Sequence, residues 1–254
     1  MIPTLTFICI AMAALITSFI SGVLGMAGGM ILLGVMLALL PVTAAMMLHG
    51  ITQMFANGWR AWIWRGQINW RVFRGFAAGA VLALAAFFAL QFVVTKPVAF
   101  ILLGLMSLIS FALPQRLTLT VDHHSQPFWC GLVCTVAQLV AGVSGPLMNL
   151  FFVHSVMDRR SVVATKAMAH TLGHFFKILF FGGIGLIATG SIPAVLSWPL
   201  IITCVVLAFV GTTLSKRVLE KITDTHFRLW TKWVVLAMGT IYLISGIVML
   251  EGSG

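Results

Sequence analysis

Acidic residues are the scarcest feature of this chain: five Asp and Glu among 254 residues, with charged residues of any kind at 8%. Water-soluble domains carry roughly a quarter charged residues. A soluble protein of this size would lack a polar shell, so that class is excluded. The positions of the acids narrow the field further. Asp122, Asp158, Glu220, Asp224 and Glu251 all fall in expected loops or at the C-terminus, and none stands in the middle of an apolar run. Proton pumps and cation carriers usually keep a carboxylate in the membrane as a relay or counter-charge. Its absence argues against a cation as passenger.

Cysteine is also sparse. Cys9, Cys130, Cys134 and Cys204 all lie in apolar segments, where cysteine behaves as a small hydrophobe. Cys130 and Cys134 are four apart and share a helical face, but no third ligand or catalytic partner lies near them in sequence, so packing is their reading. No phosphate-binding P-loop, dinucleotide fingerprint or zinc-ligand spacing occurs. ATP-driven pumping within this chain is therefore not expected, nor is a cofactor or a resident metal. The N-terminus enters an apolar stretch by Leu5 without a basic leader region, which reads as a first membrane segment.

What the chain has in abundance is hydrocarbon: 61% of its residues are hydrophobic. Apolar runs close to or above ~18 residues recur along it, the length that carries a helix across the bilayer. Expected spans are 4–40 with an internal break, 44–64, 72–94, 97–113, 127–157 with a break, 161–186, 194–214 and 228–249. The fold class is thus all-α, a polytopic transmembrane helical protein. The formal charge of +10 has no long basic tail to hold nucleic acid. Most Lys and Arg sit in three short stretches instead: Arg60, Arg65, Arg71 and Arg74; Arg159 and Arg160; Lys216, Arg217, Lys221 and Arg228. Short basic loops beside membrane helices mark the cytoplasmic face, and Trp59, Trp62, Trp64 and Trp70 flank the first of them as an interfacial belt would.

The chain divides into a first repeat over 1–114, a polar connecting loop over 115–126 and a second repeat over 127–254. Gly25 and Gly28 match Gly142 and Gly145 at an offset of 117 residues, and the same offset carries His49, Gln53, Asn57 and Arg60 onto Lys166, His170, His174 and Lys177. Basic loops fall at non-equivalent places in the two halves, which places equivalent loops on opposite faces. That is the signature of an inverted-topology repeat, each copy a broken or re-entrant first segment followed by three spanning helices. Segment 127–157 has to return to the side it left, since Arg116 and Arg159 both belong to the basic face. Its length is short of two crossings at roughly 20 residues each. A hairpin turning around Gly142–Pro146 meets both limits; a single kinked helix is the other reading.

Two features point to an anion. New helices are expected to begin inside the membrane at Met30 and Leu147, and a helix N-terminus offers unpaired N–H groups and about half a positive charge. Gly25, Gly28, Gly29, Gly142 and Gly145 let backbone approach a small oxyanion, with Ser144 and Asn149 as further donors. The alternative for these glycines is close helix packing. The second feature is the stripe Lys166, His170, His174 and Lys177 at i, i+4, i+8 and i+11, one face of a helix. Charges at such depth cost about 2.5–3.5 kcal/mol each on insertion scales, so they face protein or water and mark a pathway. A transported anion is the simplest compensating charge. The bland alternative is that Lys166 and Arg60 snorkel to the interfaces while neutral histidines bond to backbone.

The run Ser21-Gly-Val-Leu-Gly-Met-Ala-Gly-Gly29, the turn Arg65-Gly-Gln-Ile-Asn-Trp-Arg71 and Thr165-Lys-Ala-Met-Ala-His170 followed by Lys177 resemble the sulfite exporter TauE/SafE family over essentially the whole chain. The resemblance implies a bacterial inner-membrane transporter of sulfite, sulfonates or related sulfur oxyanions, not an enzyme. The expected partners are a small anionic substrate and membrane lipid, with no nucleic acid; a homo-oligomer is compatible with the sequence. Two other functions stay open at this point. An intramembrane enzyme would use Ser144 or a Cys with a histidine, and a soft-metal carrier would use His and Met.

Overall fold

The computed structural model describes residues 3–24, 27–112, 119–219 and 224–252, and every regular element among them is helical. The first half holds α1 (Thr4–Leu24), α2 (Ala27–Leu39), α3 (Val42–Ile63), a 3-10 turn (Arg65–Gln67), α4 (Trp70–Leu90) and α5 (Lys96–Ala112). The second holds α6 (Gln126–Val140), α7 (Gly145–Phe152), α8 (Arg159–Thr189), α9 (Trp198–Leu219) and α10 (Asp224–Glu251). The helices begin and end where local chemistry directs. Asn69 caps α4 by accepting from Val72 N at 3.2 Å, and Asp158 caps α8 by accepting from Arg160 N at 2.9 Å and Ser161 N at 3.2 Å. Hydrogen bonds from Ser161 and Arg160 hold the Asp158 carboxyl below its ordinary range. Gly190, at φ 68°, closes α8 in the left-handed region.

Five helices, α1, α4, α8, α9 and α10, are long and apolar enough to cross a membrane. The protein is therefore a multi-pass membrane protein. Expected span 44–64 corresponds to α3, whose 22 residues reach about 33 Å. It is too polar to stand among those five because His49, Thr52, Gln53 and Asn57 lie along it. All four are buried inside the bundle. Meanwhile Leu5, Ile8, Leu90, Phe92, Ile202 and Ile244 are exposed. An apolar outside around a polar seam suits hydrocarbon as the solvent. Trp59, Trp62, Trp64 and Trp70 are exposed near the basic turn, where Arg65 lies 4.7 Å over the Trp62 ring and Arg160 5.6 Å over Trp64.

Both broken segments are hairpins. In the second, Val121 N donates to Phe151 O at 3.0 Å. Ser155 Oγ and Val156 N donate to the Asp122 carboxylate at 3.0 and 2.9 Å. The residues ahead of α6 thus meet the last turn of α7 and the residues after it, as a single kinked helix cannot arrange. The first segment behaves alike: a Cβ on Gly28 would lie 2.0 Å from Thr17 O, so α2 folds back on α1. The helices start slightly earlier than expected, α2 at Ala27 and α7 at Gly145. Gly25 and Arg116 lie outside the described residues.

The principal helix pairs are α1 with α9, α4 with α6, α3 with α8 and α5 with α10. Small residues let them close. A Cβ on Gly79 would stand 2.0 Å from Phe128 O, and one on Gly211 2.4 Å from Leu15 O. Helices α3 and α8 run antiparallel: Gly182 faces Met47, Gly50 faces Ile178, and Gly58 faces Thr171. Helices α5 and α10 do the same through Gly104 against Leu243 and Gly246 against Ile101.

Candidate functional site

The polar residues of α3 and α8 meet along that antiparallel seam. Between them and the two hairpin turns lies a cavity of about 390 Å³. Its wall takes His49, Gln53, Asn57 and Arg60 from α3, and Lys166, His170 and His174 from α8. The hairpins add Gly29, Ser144, Gly145 and Asn149. None of the lining residues among those described is acidic. The lining follows α3 from His49 toward its C-terminal end and α8 from His174 toward its N-terminal end, where Val163 is exposed. The mouth is thus at the end that carries Arg65 and Arg160. Beyond His49 the seam is packed solid: Ala44, Met46, Leu48, Phe180 and Phe181 are fully buried.

Hydrogen bonds fix the inner end. Gly29 O can only accept, so His49 Nε2 donates to it at 2.9 Å. Its Nδ1 then accepts from Lys177 Nζ at 3.0 Å. Lys177 Nζ also donates to Gly142 O at 3.0 Å. On the other side Ser144 Oγ donates to Gln138 Oε1 at 2.8 Å, which leaves Gln138 Nε2 to donate to His174 Nδ1 at 2.8 Å. The three imidazoles form a chain, with His49 and His174 centroids 5.4 Å apart and His170 stacked on His174 at 6.2 Å. Nearer the mouth Lys166 Nζ donates to Asn149 Oδ1. Arg60 donates to Asn57 Oδ1 at 3.4 Å, and Asn57 in turn donates to Gln53 O at 2.9 Å.

The family model described as Sulfite exporter TauE/SafE matches residues 10–242. The chain belongs to this family. No curated protein and no solved structure matches it. The TauE/SafE match makes the chain a member of a membrane transporter family associated with sulfur anions, and the cavity is the place in this member where polar groups collect.

Eleven of the residues singled out by sequence share the wall of one cavity: Gly29, His49, Gln53, Asn57, Arg60, Ser144, Gly145, Asn149, Lys166, His170 and His174. Three do not. Lys177 is wholly buried beneath the floor. Gly142, at φ 78°, supplies the carbonyl that Lys177 grips, and Gly28 serves the packing of α2 on α1. Pro146, near the start of α7, has no N–H, so that helix end presents fewer donors than glycine there would give. Sequence reading missed Gln138 and Ser21, which also line the cavity. The offset of 117 residues that relates the stripes also relates these two, and following it back past the glycines would have found them.

Proposed function

We propose that this TauE/SafE family member carries small sulfur-containing anions, sulfite or organosulfonates, across the bacterial inner membrane as a secondary exporter. One observation carries the reading. Arg60, Lys166 and three histidines surround a membrane-embedded cavity whose wall has no carboxylate among the described residues. Unbalanced positive polarity at that depth is expensive, and an anion between Arg60, Lys166 and the hairpin helix N-termini would offset it. The basic face is the cytoplasmic one by the positive-inside bias, so the cavity as it stands opens to the cytoplasm.

The two halves act as an inverted repeat. The antiparallel pairing of α3 with α8 and of α5 with α10 supports this, as does the way α1 on α9 and α6 on α4 exchange when the halves are exchanged. Inverted repeats let one half rock against the other about a central site, exposing it alternately to each side. The cavity's 390 Å³ also leaves room for the short organic tail of a sulfonate.

The test is efflux of labelled sulfite and organosulfonates from proteoliposomes, with Lys166→Ala and His170→Ala beside the parent. Saturable anion flux that falls in both variants is expected. Flux unchanged in both removes the stripe from the mechanism, and flux that appears only with metal and disappears with a chelator selects the soft-metal alternative.

A further inference from the structure

We propose that Lys177 is the latch that holds the cavity shut at its inner end. Its equivalent in the other half, 117 residues away, is Arg60. They stand in opposite states. Lys177 is fully buried and bridges three elements: its own α8, His49 on α3 and the Gly142 carbonyl in the α6–α7 turn. Through His49 the connection continues to Gly29 O on α2. One side chain therefore ties both hairpins to the central pair. Arg60, by contrast, is half-buried on the cavity wall and bonds to Asn57 one turn back on its own helix.

What lies beyond the latch is a plug. A Cβ on Gly142 would meet Leu33 Cδ2 at 2.4 Å and Met46 Sδ at 2.7 Å, so these side chains close directly over the turn that Lys177 grips. Opening the far side requires that turn to leave Leu33 and Met46, and the Lys177 bonds oppose it. In an inverted repeat the opposite-facing state is approached by exchanging the conformations of the halves. Lys177 then takes the loose arrangement now seen at Arg60.

This proposal rests on the transporter reading, but its test uses no passenger, so the two can fail separately. In a background with Cys9, Cys130, Cys134 and Cys204 replaced by alanine, Met46→Cys reports the plug and Val163→Cys the mouth. Detergent-solubilised protein is treated with a water-soluble maleimide and labelling rates are compared. In the presence of Lys177 the Met46→Cys thiol is expected to be protected and the Val163→Cys thiol labelled. Adding Lys177→Met removes both hydrogen bonds and raises Met46→Cys labelling roughly tenfold; the milder His49→Leu raises it less. A folded, monodisperse Lys177→Met protein with Met46→Cys still fully protected overturns the latch. Should neither latch variant be recovered folded, equal labelling of Met46→Cys and Val163→Cys with Lys177 present overturns it as well.

Discussion

Gln138 Nε2 meets His174 Nδ1 at 2.8 Å, across the contact between α6 and α8, while Ser144 Oγ donates to the same amide's oxygen. Both ends of one buried amide are thereby used. The second hairpin is held in register with the histidine stripe, and His174 is left in the tautomer that presents Nε2–H.

Replacing Gln138 with glutamate separates charge from shape. The side chain keeps its length, but places a carboxylate on a wall that has none among the described residues. At about 4 Å, repulsion from a bound anion amounts to some 4 kcal/mol even at an effective dielectric of 20, so anion affinity is expected to fall at least about tenfold. Thermal shift of purified protein against sulfite concentration measures it. Equal shifts for parent and Gln138→Glu would show that the anion does not bind near this wall. Gln138→Leu differs: it strands Ser144 and His174, and the expected result is a loss of about 1–3 kcal/mol in stability.

Lys166 is the cation on the wall that faces the second hairpin, where it donates to Asn149. Lys166→Gln keeps a polar group of similar reach and removes the charge. The expected outcome is anion affinity lowered about tenfold, the worth of one charge-assisted hydrogen bond, with the melting temperature little changed. Titration calorimetry on the purified variant decides it, and affinity within twofold of the parent removes Lys166 from the binding site.

Much of this arrangement was legible beforehand because it is periodic. The stripe of Lys166, His170 and His174 announced a single helical face, and its echo in His49, Gln53, Asn57 and Arg60 announced a second. What periodicity does not carry is which end of the stripe is open. Lys177 continues the same face as Lys166, yet one is buried under the floor and the other lines the wall. That difference depends on where α2 and the α6–α7 turn pack, which is a tertiary matter. Glycine roles were ambiguous for the same reason: Gly145 lines the cavity, whereas Gly28 lies against Thr17 and Ser21. Hairpin or kink also could not be decided from length and breakers alone. It took Asp122, a single acid beside an apolar segment, meeting Ser155 and Val156.

Asp122 gives a pH prediction. Partial burial pushes its carboxyl up, but hydrogen bonds from Thr120, Val156 N and Ser155, together with nearby His123, outweigh that and hold it below the ordinary carboxylate range. A carboxyl depressed in the folded state contributes stability that is complete above its unfolded value and lost as pH falls through the folded one. The closure of the second hairpin should therefore weaken below about pH 4. Asp122→Asn should cost roughly 1–2 kcal/mol at neutral pH and flatten the acid limb of the stability profile. Melting temperatures of parent and variant from pH 3 to 7 test this, and parallel curves would rule out the carboxylate as the closure.

Two glycines of the second half offer a matched test of how close helix approach holds the bundle together. Gly131 sits where α6 meets α4, and a Cβ there would lie 1.9 Å from Phe76 O and 2.7 Å from its carbonyl carbon. Backbone cannot yield as a flexible side chain can, so Gly131→Ala forces the two helices apart. Overpacking of this kind costs about 3 kcal/mol or more. Gly173 lies within α8 and has nothing within 4 Å of its added Cβ. There, Gly173→Ala only removes backbone freedom from the unfolded chain and should stabilise by about 0.5–1 kcal/mol. The two substitutions add the same methyl group in helices that both pack on α4, so any general effect of added bulk cancels in the comparison. Melting of the two variants in one detergent should show a large drop for Gly131→Ala and a small rise for Gly173→Ala. Similar melting temperatures for the pair would mean that α4 and α6 do not pack at the separation described.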